Sequence, residues 1–167
     1  MSLYADYDPD QQRVLVRAIS SAAVLVSTAS PGPKADTVSE GFASAEYVLD
    51  SLEANIGNTL VSSVIIAIRD RLAAEQPFPD YTQVAAAPDA ADQARAALTA
   101  VATLLDTRAT PEEAAGYKDW LVGVAQASAQ GAIEDKGFLG RGGVQVNDAE
   151  RAAIGEVARL LGRTPDR

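Results

Sequence analysis

Neither cysteine nor histidine occurs in the chain, and each absence removes a class of chemistry. Without cysteine there is no disulfide, no thiolate nucleophile and no sulfur ligand. Without histidine the usual metal ligand and the usual general base near neutral pH are missing. Ser-His-Asp and Cys-His arrangements and the common kinds of zinc site are excluded, which leaves carboxylate, lysine, tyrosine or serine chemistry. Aromatic residues are scarce, nine in 167, so the apolar bulk rests on Leu, Ile and Val. Positive charge is also short: 14 Lys and Arg stand against 23 Asp and Glu, a formal net charge of −9. That balance opposes nucleic acid and anionic membranes as partners. Long apolar runs are missing too. The stretch from Val14 to Val26 is interrupted by Arg17 and two serines, and Asp6, Asp8 and Asp10 stand where a secretory signal would be basic. Neither a signal peptide nor a membrane span is expected, and a cytoplasmic location follows as the default.

What is present is helical. The 33 alanines favour closely packed helices, and the length suits one domain with a substantial core. Residues 1–7 read as an N-terminal tail, 8–162 as an all-helical domain and 163–167 as a C-terminal tail. Asp8-Pro9-Asp10-Gln11 opens a first helix: an aspartate cap, proline where no N–H is needed, and glutamine placed to reach back. Its broad apolar face includes Val14, Ala18, Ala22 and Leu25, and it ends before Ser30-Pro31-Gly32-Pro33. Thr37-Val38-Ser39-Glu40 has the pattern of a capping box, which predicts a second helix from about Val38 to Leu52 with Phe42, Ala45, Leu49 and Leu52 facing inward.

Asn58 caps a third helix whose Val61, Val64, Ile65, Ile68 and Leu72 follow the helical period, making it the candidate for the most enclosed element. The run Val64-Ile65-Ile66 would also suit a strand, but the flanking period favours helix. Pro77, Pro79 and Pro88 mark a connecting loop in which Phe78 and Tyr81 are expected to pack over the core, ligand contact being the lesser reading. Asp89 opens a fourth helix with Ala94, Ala97, Leu98, Val101, Leu104 and Leu105 on one face.

Thr110-Pro111-Glu112-Glu113 opens a fifth helix. Tyr117, Leu121, Val124 and Ser128 recur along it beside a stripe of small residues, Gly123, Ala127 and Gly131, which predicts close approach by a neighbouring helix. Four glycines in the seven residues from Gly137 to Gly143 end the period. The spacing there fits neither a Walker loop nor a dinucleotide fingerprint, and Phe138 and Leu139 read as plugs folded onto the bundle. Asn147-Asp148-Ala149-Glu150 caps a sixth helix whose apolar Ile154, Val157, Ala158 and Leu161 lead to Gly162 as a natural stop. The fold class is therefore all-α, a single compact bundle of about six helices. The first two and last two helices share a plan that also suits a duplicated helix-loop-helix unit.

The acidic helix openers are explained first by capping and by the positive end of the helix dipole. Beside that reading, Ala35-Asp36-Thr37-Val38-Ser39-Glu40 and Gly143-Val144-Gln145-Val146-Asn147-Asp148-Ala149-Glu150 resemble the loop-to-helix segments of TerB-like tellurite-resistance proteins. Two positions depart from the family's pattern: no glycine follows Asp36, and Gly143 stands where the second segment should have its aspartate. The resemblance implies an all-helical, cytoplasmic bacterial protein associated with chemical-stress resistance, without an established catalytic activity, in which carboxylates near the loops bind a divalent cation. Carried onto this chain it nominates Asp36, Glu40, Asp148 and Glu150 as metal ligands. No catalytic or organic-cofactor residue stands out. The expectation is a non-catalytic helical module that binds a protein partner, a second copy of itself or a hard cation. The alternative is an enzyme working with carboxylates alone.

Overall fold

The computed structural model describes residues 1–30, 34–76, 84–134 and 146–164, with the side chains of 34–36 and 132–134 excepted. Phe78, Tyr81 and the glycine-dense loop with Phe138 and Leu139 lie outside the described residues. The protein is all-helical: after a 3-10 turn (Tyr4–Asp6) come α1 (Pro9–Ala29), α2 (Lys34–Asp50), α3 (Thr59–Ala73), α4 (Ala90–Arg108), α5 (Pro111–Glu134) and α6 (Asp148–Leu160). Four of the six starts follow from local chemistry. Asp8 accepts from the N–H groups of Asp10 and Gln11 while Gln11 returns the bond to Asp8. Asn58 caps α3 through the Val61 N–H. Thr110 and Glu113 exchange bonds at α5, as Asn147 and Glu150 do at α6. Each closes backbone donors that the helix itself leaves open. At the far end of α6, Gly162 adopts φ 69° while its N–H bonds Arg159 and the Arg163 N–H bonds Ala158. That double bond requires a left-handed residue, which glycine supplies without strain.

Two parallel helices, α1 and α5, form the centre. The Tyr117 hydroxyl donates to the Leu15 carbonyl at 3.2 Å, and Tyr117, Leu121, Val124 and Ser128 are fully buried along the α5 face. The most enclosed stretch is the second half of α1, where all seven residues 21–27 are buried. This corrects the expectation for α3, which buries Leu60, Val61, Val64, Ile65 and Ile68 but leaves Ile66 and Leu72 each 47% exposed. The reason is visible in the residues. Ser21-Ala22-Ala23-Val24-Leu25-Val26-Ser27 carries no charge on any side, so helices can close around its whole circumference, over Val24, Leu25 and Val26 as well as the smaller residues. In α3, Arg69, Asp70 and Arg71 keep one side in water. The N-terminal residues dock against α3 and α5: the Ser2 N–H bonds Glu113 at 2.6 Å, the Tyr4 N–H bonds Ser63, and Tyr7 is buried. Burial would raise the Glu113 pKa, but the bonds donated by Ser2 and Thr110 outweigh it and hold the carboxyl below its usual range.

The small-residue stripe on α5 is a contact surface. A Cβ placed on Gly131 would lie 2.7 Å from the Ser39 carbonyl oxygen and 3.1 Å from the Glu40 Cα, and one on Gly123 would lie 2.0 Å from the Tyr47 hydroxyl. The backbones of α2 and α5 meet because no side chain keeps them apart. One on Gly116 would lie 2.3 Å from Asn58 Nδ2, the same group that donates to the Glu113 carbonyl.

Close approach dictates which side of α2 faces in, and it is not the side its apolar pattern suggests. Helix α2 begins at Lys34, so Thr37 is its fourth residue, and the Glu40 carboxylate accepts from Ser27 on α1. Glu40, Ser44, Val48 and Ser51 are buried, with Ser51 accepting from the Trp120 indole N–H at 2.9 Å. Phe42 is 72% exposed and Ala45 also faces solvent, while Leu49 and Leu52 are half-buried. Around Gly131 the contact is filled by Ala43 and the α2 backbone, and the Tyr47 ring lies over Gly123, so the side of α2 that carries Phe42 is turned away.

Candidate functional site at the end of the central helices

Four helix ends meet where α1 and α5 finish and α2 and α6 start. On the last turn of α1, Ser27 and Ser30 stand one turn apart and reach different neighbours. The Ser27 hydroxyl donates to Glu40 on α2, whose carboxylate is 4% exposed. Ser30 accepts from the side-chain amide of Asn147, the cap of α6, at 2.9 Å. Gly131 on α5 lets the first turns of α2 settle against this end. Both loop-to-helix segments singled out in the sequence therefore hold the same turn of α1, although they lie more than a hundred residues apart. The positive end of α6 favours the carboxylate of Glu150 in its first turn, while the buried Glu40, in the second turn of α2, accepts from Ser27.

The four nominated residues are used differently. Glu150 is 7% exposed and closes the capping box with Asn147. Asp148 is exposed and pairs with Arg151 at 2.7 Å. Glu40 is directed inward onto α1. Asp36 sits in the first turn of α2, and its side chain lies outside the described residues. Among the described residues no group of three or more Asp, Glu, His or Cys side chains comes together in a way that could hold a metal ion. A hard cation needs several oxygens from more than one segment. The oxygens that line this end also include the Ser27 and Ser30 hydroxyls and the Ser39 carbonyl. These neutral groups carry no spacing signal, and only the fold places them beside the acids.

A second concavity, of about 850 Å³, lies between α5 and α6. Val122, Ile154 and Val146 form apolar walls, Gly123 and Gly155 the floor, and Tyr47 reaches in from α2. Burial raises the Tyr47 pKa, so its hydroxyl stays protonated at physiological pH. Arg163 at the rim is held by two bonds to Asp119, at 2.6 and 2.7 Å. Sequence reasoning did not find this cleft, because its floor comes from glycines on two helices brought together only by tertiary packing.

No family model, curated protein or solved structure matches the chain. Among the described residues no helix is long and apolar enough to cross a membrane.

Proposed function

We propose that this chain is a non-catalytic helical module of the stress-response, tellurite-resistance-like type. It acts by binding a partner or a divalent cation, and a cation at the four-helix end would have to draw together Asp36, Glu40, Asp148 and Glu150, of which the described side chains stand apart. The observation that carries the reading is the pair of bridges on one turn of α1, Glu40 to Ser27 and Asn147 to Ser30, which draws the two acidic segments to a common end. Support also comes from Asp148, whose pair with Arg151 lies on the surface and is screened by solvent, so that a cation could take the arginine's place. The resemblance of both segments to TerB-like loop-to-helix turns points to the same ligand class.

The reading is tested by calorimetric titration with Ca²⁺, Mg²⁺ and Mn²⁺ on the wild type and on an Asp36→Asn, Asp148→Asn double variant. The wild type is expected to bind at about millimolar concentration or tighter, and the double variant to lose the heat. No heat with the wild type, or unchanged binding in the double variant, would leave these acids as helix openers only.

A further inference from the structure

Helix α2 carries an apolar seam that its own bundle covers only at its Leu49 end. Val38, Phe42, Ala45 and Leu49 are spaced four, three and four residues apart, the repeat with which one helix lies along another. The bundle uses the opposite side of α2, so Val38 is 40% and Phe42 72% exposed. Beside the seam runs an apolar groove of about 320 Å³ between α1, α2 and α3, lined by Ile19, Ala45, Leu49, Ile68, Leu72 and Val84 among others. Among the described residues no charged side chain lines it. A projecting aromatic and an apolar groove thus share one face, the arrangement that two copies related by a twofold axis can satisfy at once.

We infer that this face binds a second copy of the chain, with the two α2 helices packed antiparallel and each Phe42 seated against Ala45 and the groove of the other copy. The electrostatics of α2 favour that occupant and that direction. Its last turn has no basic residue and ends on Asp50, with Glu46 exposed one turn earlier, so acids stand at the negative end of the helix dipole. In an antiparallel pair each acidic end lies beside the positive start of its partner, which relieves both. Phe42 against Ala45 pairs large with small across the axis, so the backbones approach without a void. The start of α2, with Asp36, borders this interface, but the two readings are separable: a protein that binds Ca²⁺ but never dimerises would overturn the interface and leave the proposed function intact.

The absence of cysteine supplies a direct test. The protein carrying Ala45→Cys is oxidised, with Thr103→Cys on exposed α4 as the control, and sedimentation of the wild type and of Phe42→Asp is followed in parallel from about 1 to 500 µM, a range spanning weak interfaces. The inference expects the Ala45→Cys protein to form a disulfide-linked dimer and the control to stay monomeric. It expects the wild type to self-associate with concentration and Phe42→Asp to weaken the dimer by more than about thirtyfold, as for an aromatic at the centre of an interface. Thermal melting of dilute Phe42→Asp should match the wild type, which separates a lost interface from a lost fold. A wild type monomeric throughout the range overturns the inference, as does a dimer indifferent to Phe42→Asp. A monomer in which the Ala45→Cys thiol is protected would also overturn it, since the same chain would then cover its own seam.

Discussion

At the start of α6, Asn147 and Glu150 exchange hydrogen bonds, the apolar side of the helix turns inward and Gly162 closes its far end. At the start of α2, a segment of similar composition behaves otherwise: the helix begins three residues before Thr37, Glu40 crosses to Ser27, and the side carrying Phe42 turns outward. The difference lies in the neighbouring surface. Against α5, α2 meets a stripe of glycine and alanine that rewards backbone proximity: Ser39 and Ala43 come up against Gly131 and the Tyr47 ring against Gly123. The apolar side of α6 is built from Ile154, Val157 and Leu161, side chains that fill space against α1 and α5 in the ordinary way. A helix is oriented by the shape of what it packs on, and its own hydrophobic pattern decides only when that shape leaves room.

The largest effect that would break this comparison is on the α5 stripe. Gly131→Leu forces a side chain against the Ser39 carbonyl and the α2 backbone, which cannot yield, and should destabilise by about 3 kcal/mol, at the upper end for overpacking. Gly123→Leu meets the end of a Tyr47 side chain that can swing aside, and should cost about 1–2 kcal/mol. Urea unfolding of both variants checks the order. Equal losses, or none, would mean that the two helices are not in backbone contact.

The two helix starts can be set against each other with smaller substitutions. Asn147→Ala removes both a cap and the bond to Ser30 and should cost about 1–2 kcal/mol. Thr37→Ala, inside an already running helix, should cost less than about 0.5 kcal/mol. Thermal melting at neutral pH measures both, and a Thr37→Ala loss as large as that of Asn147→Ala would restore a capping box to α2.

These cases show which parts of the fold could be read in advance. Helix starts at Asp8, Asn58, Thr110 and Asn147 were legible because capping is local: the donor and acceptor lie within three residues of each other. The packing role of Gly123 and Gly131 was legible because interior glycines cost helix stability unless a neighbour needs the space. The orientation of α2 was not, because it depends on α5, more than sixty residues further along the chain. The central place of α1 was also missed in favour of α3. Large aliphatic residues occur in both helices; the absence of charge on every side of residues 21–27 is what permits enclosure there, while Arg69 and Asp70 hold α3 at the surface. At the four-helix end, sequence named the acids, but Ser27 and Ser30, which join the two segments, carry no local signal of that role.

The orientation of α2 is the central claim, and the adjacent positions Ser44 and Ala45 report it most directly, since one is buried and the other exposed. In a chain without cysteine, Ser44→Cys and Ala45→Cys each introduce a single thiol. Their reaction with a thiol reagent can be followed at concentrations where further dilution no longer changes the rates. The Ala45→Cys thiol should react about as fast as in an unfolded peptide, and the Ser44→Cys thiol at least about a hundredfold more slowly, gated by the opening that uncovers this side of α2. Equal rates, or the reverse order, would show that the apolar side of α2 faces the core after all.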